Sequence, residues 1–316
     1  MTIEPLVAVD LPRLDANLRR FQQQLAATGV PFRAHVKAHR TVELAQRQVA
    51  AGAVGVSVHT ASAAIRYAEA GIEDVVLAWP WPEPWRFPRF VEAAARVPRF
   101  AVHVDRPETI TGLGAAAVER GVEVRVRIDL RHASAEAVPA LGKLAADTPG
   151  VRLDGVTGYS PLETTEQLRD REGVGRRYAE QVVAAAEQLR DAGLDCPVVS
   201  IGGTPTALGA ASVPGVTELC AGAYATLDGG LAAAGVGSPA EVAITVAADA
   251  TDLLDGCSQP WEPAVAWQPA PDSGRLVPAH ICPLITNLVK RGVEITAVAG
   301  GEPVASWRPF AAPDRE

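Results

Sequence analysis

PFRAHVKAHRTVELAQRQVAAGAVGVSVH, residues 31–59, reads as a strand, a helix and a second strand. Residues 31–37 form an apolar-rich extended run, 41–51 carry apolar side chains at helical spacing, and 54–59 return to a β-branched run. Two strands joined by a helix are neighbours in a parallel sheet. The unit recurs. Further strands are expected at 74–80, 100–105, 122–130, 152–159, 197–203 and 217–224, and helices include 61–70, 107–119, 135–147 and 173–192. Eight such strands point to a closed (β/α)8 TIM-type barrel more than to an open sheet. Before it, LVAVDL (6–11) reads as a strand and 12–28 as a helix. After Tyr224 the pattern changes: EVAITVAADATDLL, GRLVPAHIC and GVEITAVAGGEPVASW lie between Gly- and Pro-rich turns and read as an antiparallel β domain. The expected division is a barrel over 12–230 and a smaller β domain from 1–11 plus 231–316. DGGLAAAGVGSP (228–239) is expected to be a linker without fixed structure, and LVAVDL is expected to pair with the C-terminal strands.

The chain has 316 residues, 48% of them apolar, and a net charge of −8 with acids and bases spread along its length. That pattern suits neither a nucleic-acid surface nor a polybasic membrane patch. No run approaches the ~18 apolar residues of a membrane span, and the N-terminal segment has no signal-peptide pattern. Cys196, Cys220, Cys257 and Cys282 show no disulfide spacing, so a reducing cytoplasm is expected.

Only three of the 29 basic side chains are lysines: Lys37, Lys143 and Lys290. Lys143 and Lys290 stand in solvent-facing contexts. Lys37 closes the first barrel strand, and in an extended segment it shares a face with His35 and His39. An amine flanked by imidazoles at a partly desolvated strand end is set up as a nucleophile, and the chemistry that requires Lys rather than Arg is an imine with a carbonyl. Barrel enzymes react at the ends of their strands. Those ends carry His59, Trp79, His103, Asp105, Asp129, Arg131, His132 and Tyr159, which makes a titratable rim. His39 and Tyr159 are therefore candidate catalytic partners of Lys37. The loop Ser200-Ile201-Gly202-Gly203-Thr204-Pro205-Thr206 and the segment Gly222-Ala223-Tyr224 fall after strands seven and eight, the usual phosphate site of such barrels. An imine-forming lysine with a phosphate cradle suggests pyridoxal phosphate. In the C-terminal part, His280 and Cys282 are two apart, and on a strand they face one side as two potential zinc ligands.

RAHVKAHRTVELAQRQVAAGAVGVSVHTASAA resembles the lysine segment of the D-threonine aldolase and D-serine dehydratase family, fold type III pyridoxal phosphate enzymes related to alanine racemase. The similarity continues through AEAGIEDVVLAWP, GGTPT and ELCAGAYATLD. It resumes at VPAHICPLITNLV, which parallels that family's His-x-(Cys/Asp)-Pro-x-x-Asn metal motif. The resemblance implies that Lys37 carries the cofactor, that His35, Arg131 and Tyr159 lie around it, and that Gly202, Gly203, Thr204, Gly222 and Tyr224 hold its phosphate. It implies a divalent metal on His280 and Cys282, and the thiolate favours zinc. The expected activity is a metal-assisted lyase acting on a D-configured β-hydroxy amino acid, with a cysteine at the second metal position more like the dehydratases than the aldolases. A homodimer is implied by analogy. Two departures stand out. The run after strand five reads Asp129-Leu130-Arg131-His132 where the family has Asp-x-Gly-x-x-Arg, and a Trp- and Pro-rich stretch (257–275) replaces a longer insert. The alternatives are an amino-acid racemase, which lacks a second-domain tyrosine here, and a non-catalytic cofactor-binding barrel.

Overall fold

The computed structural model describes residues 4–271 and 273–314; residues 1–3, 272 and 315–316 of the expected β domain lie outside the described residues. The strands are β1 (Val7–Asp10), β2 (Phe32–His35), β3 (Val56–Val58), β4 (Asp74–Leu77), β5 (Arg99–Val104), β6 (Val124–Asp129), β7 (Val151–Tyr159), β8 (Val198–Gly202), β9 (Glu218–Ala221), β10 (Ile244–Val246), β11 (Trp267–Pro269), β12 (Leu276–Pro278), β13 (Ile295–Ala299) and β14 (Glu302–Trp307). The helices are α1 (Leu11–Ala26), α2 (Val42–Ala50), α3 (Ala61–Glu69), α4 (Phe87–Arg96), α5 (Pro107–Arg120), α6 (Val138–Asp147), α7 (Thr165–Arg169), α8 (Arg171–Asp191), α9 (Ala207–Ala211), α10 (Gly229–Ala233) and α11 (Ile281–Arg291). Strands β2 to β9 close into a parallel barrel, and β9 pairs back onto β2 through Ala34 and Ala221.

Alternation along the strands explains the packing. Phe32, Ala34, Val56, Val58, Val102, Val104, Val126, Ile128, Val199 and Ile201 are buried apolar positions two apart, as expected where helices cover a parallel sheet. The intervening positions are polar. Arg33 of β2 donates from Nε and Nη2 to Glu218 Oε2 of β9 at 2.9 and 2.8 Å, and Arg127 of β6 donates to Glu218 Oε1 at 2.7 Å. Arg127 also reaches Asp154 of β7 at 2.8 Å, Arg33 reaches Asp74 of β4 at 2.7 Å, and Ser200 of β8 donates to Glu218 at 2.9 Å. β6 and β9 are not neighbours, so the contact between them crosses the barrel interior. Burial alone would raise the Glu218 carboxyl, but Arg127 and Arg33 outweigh it and hold Glu218 ionised, well below the usual carboxylate range.

The second layer is a six-stranded sheet in the order β11-β12-β10-β1-β13-β14. LVAVDL supplies its centre: β1 pairs antiparallel with β10 and parallel with β13. The sheet is therefore mixed, where an antiparallel one was expected. Asp10 ends β1 and caps α1 by accepting the Arg13 N–H at 2.9 Å, and α1 leads the chain into the barrel. Gly300 and Gly301, with φ of 61° and 86°, make the two-residue turn joining β13 to β14.

Two expectations need correction. The segment 228–239 is ordered, because Asp228 caps α10 by accepting the Leu231 N–H at 2.8 Å. A Cβ on Gly230 would fall 2.3 Å from Gln259 Cγ, so the glycines there allow close packing and do not act as a flexible hinge. Between β8 and β9 the chain forms the short helix α9. The run expected as a strand through Cys282 breaks at Pro278, and α11 begins at Ile281 with Ile281, Leu284, Ile285 and Leu288 on its buried face.

Replacing Glu218 with Gln leaves Arg33 and Arg127 without their shared counter-charge. The expected cost is about 3–5 kcal/mol in denaturant unfolding, whereas an exposed Glu187→Gln control shifts stability by less than about 0.5 kcal/mol.

Candidate active site

A cavity of about 810 Å³ opens where the barrel strands end, roofed by α11 and by Gln259, Pro260 and Trp261. Lys37 reaches it because β2 stops at His35. The next three residues tighten into a 3-10 turn, in which the His39 and Arg40 N–H groups both donate to Val36 O, at 3.1 and 2.8 Å. Lys37 Nζ lies 5.7 Å from the centroid of the Tyr159 ring. His35 Nδ1 accepts the Lys37 N–H at 3.4 Å, and its ring meets His59 edge-on at 5.0 Å. His59 continues to Trp79 at 6.0 Å, and Trp79 to His132 at 5.4 Å. Burial, followed by the Lys37 charge, keeps both imidazoles neutral, His35 well below its ordinary value and His59 down to about 3.

The same turn sends His39 elsewhere. An extended segment would place it beside Lys37. Instead its ring is buried behind the strand, with Nδ1 3.2 Å from Thr41 Oγ1 and Nε2 3.0 Å from Gln48 Oε1, and it does not line the cavity. His39 therefore braces α2, which corrects its expected catalytic place. Tyr224 is likewise turned away: its ring stacks on Phe21 at 4.4 Å and meets Phe32 edge-on at 4.8 Å. The hydroxyl expected at a phosphate is buried beside Gln48 instead.

The other rim residues converge. Arg131 lines the cavity, 5.3 Å from the Trp79 ring, and its Nε and backbone N–H donate to Asp129 Oδ1 at 2.9 and 3.0 Å. Asp129 also lies 3.2 Å from His103 Nδ1. Burial would raise this carboxyl, but His103 and Arg131 hold it below the usual carboxylate range. An ionised Asp129 accepts the Nδ1 proton, so His103 turns an unprotonated Nε2 away from it. Asp105 pairs with Arg106 and lies outside the cavity.

Gly202, Gly203, Thr204, Gly222 and Ala223 form one end of the cavity. Gly203 has φ of 141°, and a Cβ there would sit 2.3 Å from Thr206 Oγ1; a Cβ on Gly222 would sit 2.6 Å from His35 O. The Gly203 N–H donates to Cys220 O at 2.9 Å and locks the two loops together. Among the described residues the N–H groups of Thr204, Gly222 and Ala223 have no protein acceptor. Open backbone donors in a glycine cradle, with a lysine in the same cavity, fit the phosphate and aldehyde ends of pyridoxal phosphate.

His280 and Cys282 both line the cavity, at the junction of β12 and α11. Asp228 fixes that junction: its Oδ2 accepts the Ile281 N–H at 3.1 Å while its Oδ1 caps α10. Burial pushes the Asp228 carboxyl up to about 7. Burial also raises the Cys282 thiol, with Lys37 opposing it. No group of three or more His, Cys, Asp and Glu donors with metal-site geometry occurs among the described residues, so a cation here would keep positions open for water or substrate. Arg40, Asp228, Gln259, Thr286, Asn287 and Lys290 also line the cavity, none of them anticipated as site residues, and Lys290 was assigned to solvent. Thr286, Asn287 and Lys290 were hidden because the expected strand ran through Cys282 and no helix was expected after it, although the apolar spacing at 281, 284, 285 and 288 signals one.

Comparison with known proteins places these features. Residues 9–227 match the family model of the alanine racemase N-terminal domain. The D-threo-3-hydroxyaspartate dehydratase of Delftia sp. (strain HT23) is 37% identical over 257 residues, covering 77% of this chain and 66% of the relative. The D-threonine aldolase of an Arthrobacter species is 31% identical over 233 residues, 71% of this chain and 61% of the relative. This chain thus spans less than two thirds of the length of these relatives. A solved mutant of a D-threo-3-hydroxyaspartate dehydratase in its metal-free form superposes with a TM-score of 0.82 at 26% identity, covering 98% of each chain.

His39 stays neutral in the fold down to about 4, whereas in the unfolded chain it binds a proton near its ordinary value of about 6.5. The unfolded state therefore takes up more protons between these values, and stability falls as pH drops from about 6.5 towards 4. His39→Gln is expected to flatten that slope in pH-dependent unfolding curves.

Proposed function

This chain belongs to the alanine racemase N-terminal domain family, and from that premise we propose that it is a pyridoxal phosphate-dependent, metal-assisted lyase of D-configured β-hydroxy amino acids. The observation that carries the proposal is that Lys37, the open N–H groups of the glycine cradle, and the His280–Cys282 pair all face one cavity. The kinds of reaction named for the dehydratase and aldolase relatives agree with it.

In this reading Lys37 holds the cofactor, the N–H groups of Thr204, Gly222 and Ala223 receive its phosphate, and Tyr159, His35 and Arg131 surround its ring. Bound pyridoxal phosphate supplies an electron sink for the pair left when a bond to the α-carbon breaks. Lys37 Nζ would be the base placed to take the α-proton in a dehydration. His280 and Cys282 would hold a divalent cation, zinc being favoured by the thiolate, and that cation would supply Lewis acidity for a β-hydroxyl. Trp79, Trp261 and α11 line the cavity around the reacting atoms. The neutral imidazoles of His35 and His59 add no charge that would repel the substrate's cationic amine.

The reading extends to a barrel of residues 12–230 with a β domain of 1–11 plus 231–316, and to a head-to-tail homodimer by analogy with two-domain enzymes of this fold. Four unpaired cysteines support a cytoplasmic setting. No described helix is long and apolar enough to cross a membrane.

Purified protein with pyridoxal phosphate and zinc is expected to consume D-serine or D-threonine. Cys282→Ala and His280→Ala are expected to keep the visible cofactor band and lose at least about 100-fold in kcat, the size of a lost Lewis-acid contribution. Full activity in both variants would remove the metal from the mechanism.

A further inference from the structure

Asp228 lines the cavity, is 1% exposed, and has no Lys, Arg or His within ion-pair distance among the described residues. A carboxylate so buried costs free energy unless donors and a counter-charge surround it. The donors are present. Asp228 Oδ1 accepts the Leu231 N–H at 2.8 Å and a Gln259 Nε2 hydrogen at 3.3 Å, and Oδ2 accepts the Ile281 N–H at 3.1 Å. Each of these nitrogens can only donate, so the surroundings are made for an ionised carboxylate.

The contacts lead to the His280–Cys282 junction. Ile281 stands between those two residues, and Ala279 precedes them. Gln259 bridges Asp228 to Ala279, donating from the same Nε2 to Ala279 O at 2.9 Å, and the Gly230 N–H donates to that oxygen at 2.9 Å. The backbone of Ser258 faces the His280 ring. Ser258 and Gln259 belong to the Trp- and Pro-rich stretch that departs from the family's pattern, so that stretch supplies the outer side of the junction.

The fold also accepts strain to deliver Asp228 there. Leu227, the residue before it, is buried and has φ of 52°, a value shared among the described non-glycine residues only by Arg40. Gly or Asn would adopt that geometry more readily than a branched side chain. The Leu227 N–H donates to Ala223 O at 2.7 Å, so the chain leaving the glycine cradle turns sharply and brings the next side chain to the starts of α10 and α11. Strain held at such a point marks a position that the site needs.

We infer that Asp228 is the positioning residue of the cation site, with Gln259 as its second member. The two hold the Ala279–Ile281 backbone so that the His280 imidazole and the Cys282 thiol are offered together, and the bound ion supplies the carboxylate with its counter-charge. Outer groups of this kind set metal affinity without touching the metal. The inference rests on the proposed placement of a divalent cation at His280 and Cys282.

The test measures the zinc affinity of protein loaded with pyridoxal phosphate, by competition with a chromophoric chelator. The cobalt(II)-substituted protein is followed through its d–d bands, to the red of the cofactor band. Wild type is expected to hold zinc and Cys282→Ala to lose it. Asp228→Asn removes one acceptor at nearly constant shape. It is expected to weaken zinc by about 10–100-fold and to alter the cobalt bands at saturating metal, with the cofactor band unchanged. A merely stabilising role would leave the cobalt bands as they are. Gln259→Leu, which removes the bridge, is expected to weaken zinc by a smaller factor and replaces Asp228→Asn as the test should that variant fail to fold. Wild-type zinc affinity and cobalt bands in the folded variants, beside a loss in Cys282→Ala, would overturn the role of Asp228 and leave the metal reading standing. Zinc affinity that Cys282→Ala leaves unchanged would sink the metal reading and this inference with it.

Discussion

Glu218, held between Arg33 and Arg127 inside the barrel, is the interaction on which the rest of this structure depends. Barrels of this kind are usually filled by layers of branched aliphatic side chains. Here the inward positions of β2, β6, β8 and β9 are polar, and one carboxylate ties three of those strands through charged and hydroxyl partners. Such a network is costly to desolvate and is weak evidence of stability in itself, but once formed it is intolerant of a missing member. Its position matters for function: Arg127, Glu218 and Ser200 form the cavity floor. A floor whose charges satisfy one another leaves the cations above it, on the rim, available to ligands.

The second determinant is the six-residue passage from His35 to Arg40. Ending β2 in a 3-10 turn rather than a longer strand separates side chains that an extended chain would align. Lys37 and Arg40 turn into the cavity and His39 turns out. The outward His39 buttresses Gln48 on α2, and the hydroxyl of Tyr224 lies against that same glutamine. The inward Arg40 is fastened to the C-terminal segment through Phe310, whose ring also meets Tyr67 at a tilt and lies under Arg66. That segment continues to Asp314, which accepts from Arg86 and from the Ser62 N–H. The end of the chain thus clamps the rim of the barrel that begins near its start.

The barrel was legible in the sequence because its signals are local and repeated: β-branched runs at 54–59, 100–105 and 122–130 alternate with amphipathic stretches, and each predicts its own element. Lys37 was legible because lysine is scarce here. The loops around Gly202 and Gly222 were legible from strand count alone, although the Tyr224 hydroxyl falls elsewhere because the chain turns at Gly222 and drops the ring between α1 and β2. The roof was not legible. Pro278 and Pro283 flank His280 and Cys282, and a short apolar run bounded by prolines fits a strand as well as the first turn of a helix. Missing α11 hid Thr286, Asn287 and Lys290, and the ordering role of Asp228 depends on two helix N-termini that meet only in three dimensions. Arg40 was invisible for a different reason: its φ and its lack of an acidic partner are properties of the folded chain.

The measurement that bears most directly on the central claim is borohydride reduction of the protein loaded with pyridoxal phosphate, followed by peptide mass mapping. With only three lysines in the chain the result is unambiguous. A pyridoxyl label on the peptide containing Lys37 alone is expected. A label on Lys143 or Lys290 instead, or no label after loading, would contradict the assignment of Lys37 as the residue that holds the cofactor.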